Sequence, residues 1–242
     1  MGRRLLATSI LAVSLLTALF AAGQPAAAPD ARSGRDAASA APTRVYSVAA
    51  VGDSLSDPKS GGAKYLELLR ERCPESRFDT YGRGGTMVSQ IRKRFRQDLF
   101  GPSRPSYTHV IVFGGVNDVG SNETAHRTVP KITGDLQAMY AEARRRGVSV
   151  VAVTIAPWGG LRSFHNPQRQ QMTLEINAWI RDSKRAGRID HVVDAYGLLS
   201  CGTPERLCKR YEAPFNDGLH FNEEGHRKLG AAFHAQVFSD CR

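Results

Sequence analysis

A serine, a histidine and an aspartate have the residue types and spacing that nucleophilic catalysis requires. Residues 52–55 read Gly-Asp-Ser-Leu directly after the apolar run 48–51, so Ser54 lies on a turn that follows a predicted strand. Far downstream, Asp217 and His220 belong to one short segment, Asp-Gly-Leu-His. A serine hydroxyl is a weak nucleophile, and a neutral histidine oriented by a carboxylate can take its proton. The pattern predicts Ser54 as nucleophile, His220 as base and Asp217 as the group that orients the base.

Two further segments follow predicted strands and carry glycine or amide groups. Residues 82–85 read Gly-Arg-Gly-Gly after a short strand-like stretch. Residues 115–118 read Gly-Val-Asn-Asp after a buried-strand run. Each of these segments taken alone would be interpreted as a turn or a helix cap. Their order along the chain, together with the serine and histidine segments, favours a shared functional site.

The four segments together resemble the four marker blocks of the SGNH hydrolase superfamily, the GDSL-type esterases and lipases. The resemblance extends over roughly residues 45–238, with every block in the family's order. In one respect the chain differs: the second block commonly opens with an asparagine-containing segment, and here it reads Thr-Tyr-Gly. The resemblance implies ester hydrolysis by Ser54, His220 and Asp217.

The resemblance also implies an oxyanion hole. A tetrahedral oxyanion needs preformed hydrogen-bond donors, each of which lowers the barrier by about 3 to 4 kcal/mol. The implied donors are the backbone N–H groups of Ser54 and Gly85 and the side chain of Asn117. Gly82 and Gly84 stay open as alternatives to Gly85 within the same segment.

Apolar runs and amphipathic stretches alternate along most of the chain. The strand-like runs are 45–51, 77–81, 109–113, 148–155 and 191–193, and the helix-like stretches are 62–72, 88–99, 129–146, 168–185 and 223–238. Such an alternation predicts an α/β fold of three α/β/α layers with a central parallel sheet. The resemblance implies the flavodoxin-like version of that fold. Ser54, Gly85 and Asn117 all follow strands, at the edge where open sheets of this kind place their sites.

The N-terminal residues have the layout of an export signal. Arg3 and Arg4 precede an apolar stretch over residues 5–22, which is followed by small residues. We expect a signal peptide at 1–23, a disordered Ala/Pro-rich linker at 24–43 and the hydrolase domain at 44–242. A membrane anchor is the alternative, but the stretch is rich in Ala, Ser and Thr. The expected location is secreted or periplasmic, with no stable membrane anchor.

The cysteine content agrees with export. Four cysteines are present, an even number that in an exported chain suggests two disulfides. The favoured pairs are Cys201 with Cys208, which flank a short Gly-Pro loop, and Cys73 with Cys241. Free thiols and the two other connectivities are the alternatives. Because no zinc-ligand spacing is found, we expect neither a metal nor a cofactor.

The chain is basic, with a formal net charge of +10, and loss of Arg3 and Arg4 would lower it by two to +8. The basic clusters lie at 92–96, 144–146 and 184–188. Solvated helix faces and helix C-termini account for such clusters. An anionic surface or polysaccharide is the alternative partner. We do not expect nucleic-acid binding, because no aromatic residues are interleaved with the clusters.

Three single residues have roles that the sequence leaves less defined. Asp53 is expected to hold the turn of the nucleophile. His226, near the start of the last helix, is expected at the surface. Trp158 follows a strand at the edge of the site, and it either lines the substrate pocket or packs within an ordinary loop.

The competing functions differ mainly in the substrate. The favoured one is an exported carboxylic-ester hydrolase that removes acetyl or short acyl groups from a carbohydrate or cell-wall polymer, because the sequence shows no long apolar lid. A lipase or lysophospholipase acting on lipid esters is one alternative. An O-acyltransferase using the same triad is another. A non-catalytic carbohydrate-binding domain is disfavoured by the complete set of catalytic residue types.

Overall fold

A computed structural model describes residues 43–242 of the chain. The expected signal peptide at 1–23 and all but the last residue of the expected linker at 24–43 lie outside the described residues.

Five parallel strands form the central sheet in the order β2-β1-β3-β4-β5. The strands are β1 (Ser47–Gly52), β2 (Arg77–Thr80), β3 (His109–Phe113), β4 (Ser149–Val153) and β5 (His191–Val193). This is the order of the flavodoxin-like doubly wound fold. The predicted three-layer α/β/α architecture with a central parallel sheet is confirmed.

Six α-helices lie between strands along the described chain, and a seventh follows the last strand. They are α1 (Lys64–Arg72), α2 (Val88–Phe100), α3 (Val116–Gly120), α4 (Val129–Arg145), α5 (Pro167–Arg185), α6 (Ala195–Leu199) and α7 (Glu223–Val237) within the described range 43–242. The five longer helices are those that the periodicity predicts. The short α3 and α6 were not predicted, because five residues are too few to show a helical hydrophobic pattern.

The two faces of the sheet pack against different helices. In β1, Val48 and Ala50 point into the core shared with α1 and α7, whereas Ala49 and Val51 point into the core shared with α2, α4 and α5. Successive side chains of a strand alternate between its faces, so a strand covered on both sides must be apolar at every position. This explains the uninterrupted apolar run that precedes the nucleophile turn.

Two elements outside the sheet involve the cysteines. The strands β6 (Ser200–Cys201) and β7 (Thr203–Leu207) form a small antiparallel hairpin, which the sequence did not predict. A disulfide joins Cys201 to Cys208, and a second joins Cys73 at the end of α1 to Cys241 near the C-terminus. These are the pairs that the sequence favours. No helix within residues 43–242 is both long enough and apolar enough to cross a bilayer.

The expectation that His226 lies at the surface is wrong. The side chain is 1% exposed and lies between aromatic rings, with ring centroids 4.3 Å from Phe221 and 6.1 Å from Tyr65. The residue is in the first turn of α7, whose inner face packs on α1. Burial lowers the pKa of His226 to about 3, so the ring is neutral at physiological pH.

Acid should therefore destabilise the fold through His226. Below an ordinary histidine pKa of about 6.5, His226 is protonated in the unfolded chain but stays neutral in the folded protein. The free energy of unfolding therefore decreases as the pH is lowered. The loss continues down to about pH 3, the pKa in the folded state. Urea unfolding over this range should show a shallower decline for His226→Leu. The exposed His126→Asn serves as control and should keep the wild-type slope; equal slopes for all three proteins would contradict the assignment.

Candidate active site

Ser54 follows the carboxyl end of β1 and begins a single 3-10 turn, Ser54–Ser56. The carboxylate of Asp53 accepts a hydrogen bond from the Leu55 amide at 3.0 Å, which holds the turn as expected. A Cβ at Gly52 would lie 2.3 Å from the carbonyl oxygen of Phe113, so glycine is needed where β1 packs beside β3. The result is a rigid turn with its serine at the edge of the sheet.

Ser54, His220 and Asp217 form one chain of hydrogen bonds. The His220 Nε2 atom lies 2.8 Å from the Ser54 Oγ atom. The His220 Nδ1 atom lies 2.6 Å from the Asp217 Oδ2 atom. The predicted nucleophile, base and orienting carboxylate are thus brought together, although 166 residues separate the serine from the histidine. With Nδ1 donating to the carboxylate, Nε2 is free to accept the serine proton.

Asp217 is itself fixed by the backbone of its own loop. Its Oδ1 atom accepts hydrogen bonds from the N–H groups of Leu219 at 2.9 Å and His220 at 2.8 Å. Partial burial opposes ionisation, but hydrogen bonds from the His220 ring and from these two amides hold the pKa of Asp217 below its ordinary value. The carboxylate therefore stays charged at neutral pH and can stabilise an imidazolium.

Three N–H donors are available for an oxyanion. Within residues 43–242, the Ser54 and Gly85 amides donate to no other protein group. Gly85 has a φ of 70°, a left-handed conformation that favours glycine, and a Cβ there would meet nothing within 4 Å. The Asn117 side chain donates to the Thr86 carbonyl oxygen at 3.1 Å. That bond uses one N–H of the amide and leaves the other available, as an oxyanion hole needs.

Asp57 is a supporting residue that the sequence interpretation missed. Its Oδ2 atom accepts a hydrogen bond from the Gly84 amide at 2.9 Å, which ties the glycine segment to the nucleophile turn. Burial disfavours the charge, but the amides of Gly84 and Lys59 hold the pKa of Asp57 below its ordinary value. A carboxylate three residues after Ser54 was the available signal.

Asp118 plays the corresponding part beside Asn117. Its Oδ2 atom accepts a hydrogen bond from the Val88 amide at the start of α2, at 2.8 Å. Its Oδ1 atom pairs with Arg127 at 2.6 Å, and Arg127 also binds Asp135. These bonds anchor α3, and with it the Asn117 side chain.

The side chain of Asp53 is a buried acid next to Ser54. The side chain is fully buried, and its Oδ2 atom has no hydrogen-bond partner within residues 43–242. Burial raises the pKa of Asp53 to about 7. Burial thus makes the neutral form of this acid more stable than it is in an ordinary aspartate, and a neutral Asp53 adds no second negative charge close to His220.

A cavity of about 200 Å³ opens beside Asn117. It is lined by Val116, Asn117, Gly120, Ser121, Trp158, Leu161, Phe164 and Leu219. Trp158 is 1% exposed, and its indole N–H donates to Thr173 at 3.0 Å. The Trp158 ring therefore borders this cavity and is held by its hydrogen bond to α5; a role for it in substrate binding stays a prediction.

Two exposed phenylalanines lie at the site and were missed in the sequence. The Phe215 ring is 40% exposed, with its centroid 5.7 Å from that of His220. Phe164 is 52% exposed and lines the cavity. Exposed aromatic rings around a cavity are typical of ligand-binding surfaces.

The described residues offer little to a metal ion. Within residues 43–242, the one group with suitable spacing is Cys73, His234 and Cys241, and its two sulfur atoms form a disulfide. Thiolate ligands are therefore not available there.

Asn117→Ala should lower kcat by about a hundredfold or more, with a smaller change in KM, because its amide acts on the developing charge. Steady-state kinetics on a small ester checks this, with Gln236→Ala, which removes an exposed amide on α7, as the matched control. An effect confined to KM would show that Asn117 binds the substrate instead.

Known proteins with this fold include ester hydrolases. An acetyl xylan esterase, AlAXEase, is 21% identical over 79% of this chain and 99% of its own, with a TM-score of 0.62. The lipase/acylhydrolase from Enterococcus faecalis is 20% identical over 82% of this chain and 98% of its own, with a TM-score of 0.63. A catalytic mutant of an acetylxylan esterase from Geobacillus stearothermophilus is 16% identical over 81% and 96%, with a TM-score of 0.62. At these identities the likeness shows the fold alone.

The family assignment comes from the sequence. No curated protein matches the chain. Residues 50–228 match the model of the GDSL-like lipase/acylhydrolase family, a range that contains all four marker segments. The match spans most of the chain and agrees with the fold, and it confirms the resemblance to the SGNH hydrolases. The chain therefore belongs to the GDSL-like lipase/acylhydrolase family.

Proposed function

We propose that the protein is an exported carboxylic-ester hydrolase that removes acetyl or short acyl groups from a carbohydrate or cell-wall polymer. The observation that carries the proposal is the continuous hydrogen-bond chain from Ser54 Oγ through His220 to Asp217. Membership of an acylhydrolase family supports ester hydrolysis as the reaction.

The geometry supports a mechanism in two steps, acylation and deacylation of Ser54. Ser54 Oγ attacks the ester carbonyl while His220 Nε2 takes its proton, and the imidazolium is stabilised by Asp217. The oxyanion receives hydrogen bonds from the amides of Ser54 and Gly85 and from the Asn117 side chain. His220 then protonates the leaving alcohol. Water, deprotonated by the same ring, attacks the acyl-serine carbonyl, and the imidazolium returns its proton to Ser54 Oγ as the acid is released.

The size of the cavity supports a short acyl group. Its volume of about 200 Å³ is below the roughly 300 to 1,000 Å³ of sites that enclose drug-sized ligands. A small acyl group fits such a space beside the Asn117 donor, whereas a long acyl chain would project into solvent.

The exposed aromatic rings support a carbohydrate as the alcohol part. Phe164 and Phe215 lie at the site with much of their surface exposed. Aromatic faces can stack on the apolar C–H faces of sugar rings. Two solved structures with the same fold are described as acetylxylan esterases, which agrees with this choice of substrate.

The net charge and the cysteines support the proposed location outside the cytoplasm. Two disulfides suit an oxidising, extracytoplasmic compartment. The net positive charge would favour an anionic surface or polysaccharide there. That attraction is moderated because several cluster arginines pair with carboxylates, as Arg92 does with Asp135 and Arg96 with Glu142.

A substrate series tests the proposal. Rates on p-nitrophenyl esters from acetyl to palmitoyl are measured beside acetate release from an acetylated polysaccharide, with Ser54→Ala as the blank. We expect kcat/KM to be highest for acetyl and to fall with chain length, and acetate to be released from the polymer. A maximum at long chains would identify a lipase, and an acyl ester formed on an added sugar acceptor would identify an acyltransferase.

A further inference from the structure

Residues 200–208 form a hairpin that stands apart from the central sheet. Its strands β6 and β7 pair antiparallel, and the bond between Cys201 and Cys208 closes it. We call this segment the disulfide hairpin. It contains none of the proposed catalytic residues, yet two separate sets of contacts, each through intermediate residues, connect it to the loop that carries two of them.

The first connection begins at the loop that follows β4. The Gly159 amide donates to the Glu205 carbonyl oxygen of the disulfide hairpin at 2.7 Å. A Cβ at Gly159 would lie 2.8 Å from that same oxygen. The Glu205 Cγ atom would lie equally close, at 2.8 Å, so the Gly159 backbone packs directly on Glu205 and leaves no space for a side chain at position 159.

The next residue, Gly160, packs against the catalytic loop. A Cβ at Gly160 would lie 2.6 Å from the Gly218 Cα atom, and a Cβ at Gly218 would lie 2.1 Å from the Gly160 carbonyl carbon. Gly218 also has a φ of 74°, which favours glycine. Because Gly218 lies between Asp217 and His220, the position of the Gly159–Gly160 backbone is transmitted directly to the catalytic pair.

The second connection runs through the end of the hairpin. The Cys208 carbonyl oxygen accepts a hydrogen bond from the Tyr211 amide at 2.8 Å. The Tyr211 carbonyl oxygen accepts one from the Asn222 amide, also at 2.8 Å. These bonds close the base of the segment 212–221, which contains Asp217 and His220. The disulfide hairpin thus holds this segment at its base and near its tip.

We infer that the disulfide hairpin, through Gly159 and Gly160, positions the Asp217–His220 loop for proton transfer from Ser54. The inference rests on the proposed catalytic roles of these three residues. The Cys201–Cys208 bond keeps the hairpin in the one arrangement that places Glu205 under Gly159. A small displacement of the base from the nucleophile lowers catalysis strongly, because proton transfer requires hydrogen-bond distance.

The two disulfides of the chain provide a matched comparison. Cys201→Ser with Cys208→Ser opens the hairpin. Cys73→Ser with Cys241→Ser opens the other bond, which lies beyond the C-terminal end of α7, whereas the catalytic loop precedes the N-terminal end of that helix. Each full-length variant is assayed well below its melting temperature. We expect kcat to fall by about tenfold or more in the hairpin variant. The control should have a lower Tm, because its bond spans 168 residues, but an unchanged kcat.

A second readout does not depend on activity. The Leu219 and His220 amides are bonded to Asp217, so they should exchange slowly with deuterium in the wild type. Their exchange should accelerate in the hairpin variant and not in the control. Equal kcat and equal exchange in both variants would overturn the inference. Failure of the proposed function would be recognised separately, because Ser54→Ala would then retain activity. The effect of the hairpin variant on amide exchange does not depend on that result.

Gly160→Ala tests the contact without touching a disulfide. The added methyl must displace Gly218, so kcat should fall by about tenfold or more with little change in KM. Gly134→Ala in α4 is the control, because a Cβ there meets nothing within 4 Å. If Gly160→Ala folds and keeps the wild-type kcat, the packing contact does not position the base.

Discussion

Ser54→Ala should lower kcat for ester hydrolysis by roughly four orders of magnitude or more and leave the fold intact. The hydroxyl is the only group of the protein that bonds to the acyl carbon in the proposed mechanism, so no other residue can take its place. The structural cost is small, because the change removes one oxygen from a turn held by other contacts. Steady-state kinetics and thermal unfolding by circular dichroism measure the two effects.

Ser103→Ala is the matched control for this prediction. Ser103 is exposed, and the same atom is removed. Its kcat and Tm should equal those of the wild type. Retention of more than a few per cent of activity by folded Ser54→Ala would reject Ser54 as the nucleophile.

Asp217→Asn should lower kcat by roughly 10²- to 10⁴-fold. The Oδ1 atom of Asp217 is bonded to the amides of Leu219 and His220. If the amide oxygen of the introduced asparagine takes the place of this Oδ1 atom, its NH2 group takes the place of Oδ2 and faces the His220 Nδ1 atom. The ring would then carry its proton on Nε2 and could not accept the proton of Ser54.

The same substitution should move the acidic limb of the pH–rate profile. Asp217 is charged at neutral pH, and the substitution removes the charge that stabilises the imidazolium formed during proton transfer, so the limb should shift to lower pH. Profiles of kcat and kcat/KM for the wild type, Asp217→Asn and the exposed Asp182→Asn measure this. An unchanged limb together with an unchanged kcat for Asp217→Asn would mean that another group orients His220, and the site would work as a dyad.

The sheet and the long helices could be predicted because their signals are local. A continuous apolar run such as 109–113 predicts a buried strand, and a stretch of helical periodicity such as 129–146 predicts a helix. The disulfide hairpin gave no such signal, because residues 203–207 are mostly polar and exposed. His226 was misplaced for a related reason: a polar residue in a first helical turn is usually solvated, and only the packing of α7 on α1 shows that it is buried.

The proposed catalytic residues could be predicted because each lies in a distinctive segment, Ser54 in the turn after β1 and Asp217 and His220 in one short Asp-Gly-Leu-His loop. The residues that hold the proposed catalytic residues in place could not be predicted, because their contacts join segments that are distant in the sequence. Nothing in the sequence places Asp57 under Gly84 or Gly160 against Gly218. Such contacts depend on how loops from different strands meet at one edge of the sheet. The exposure of Phe215 beside His220 is likewise a property of the folded surface.

The most direct test of Ser54 as an activated nucleophile is to locate the adduct of a serine-directed phosphonate by mass spectrometry. We expect one phosphonyl group per chain on the peptide containing Ser54, none on Ser54→Ala, and much slower labelling of His220→Ala because its base is missing. A phosphonyl group found on a different residue, or undiminished labelling of Ser54→Ala, would contradict the account.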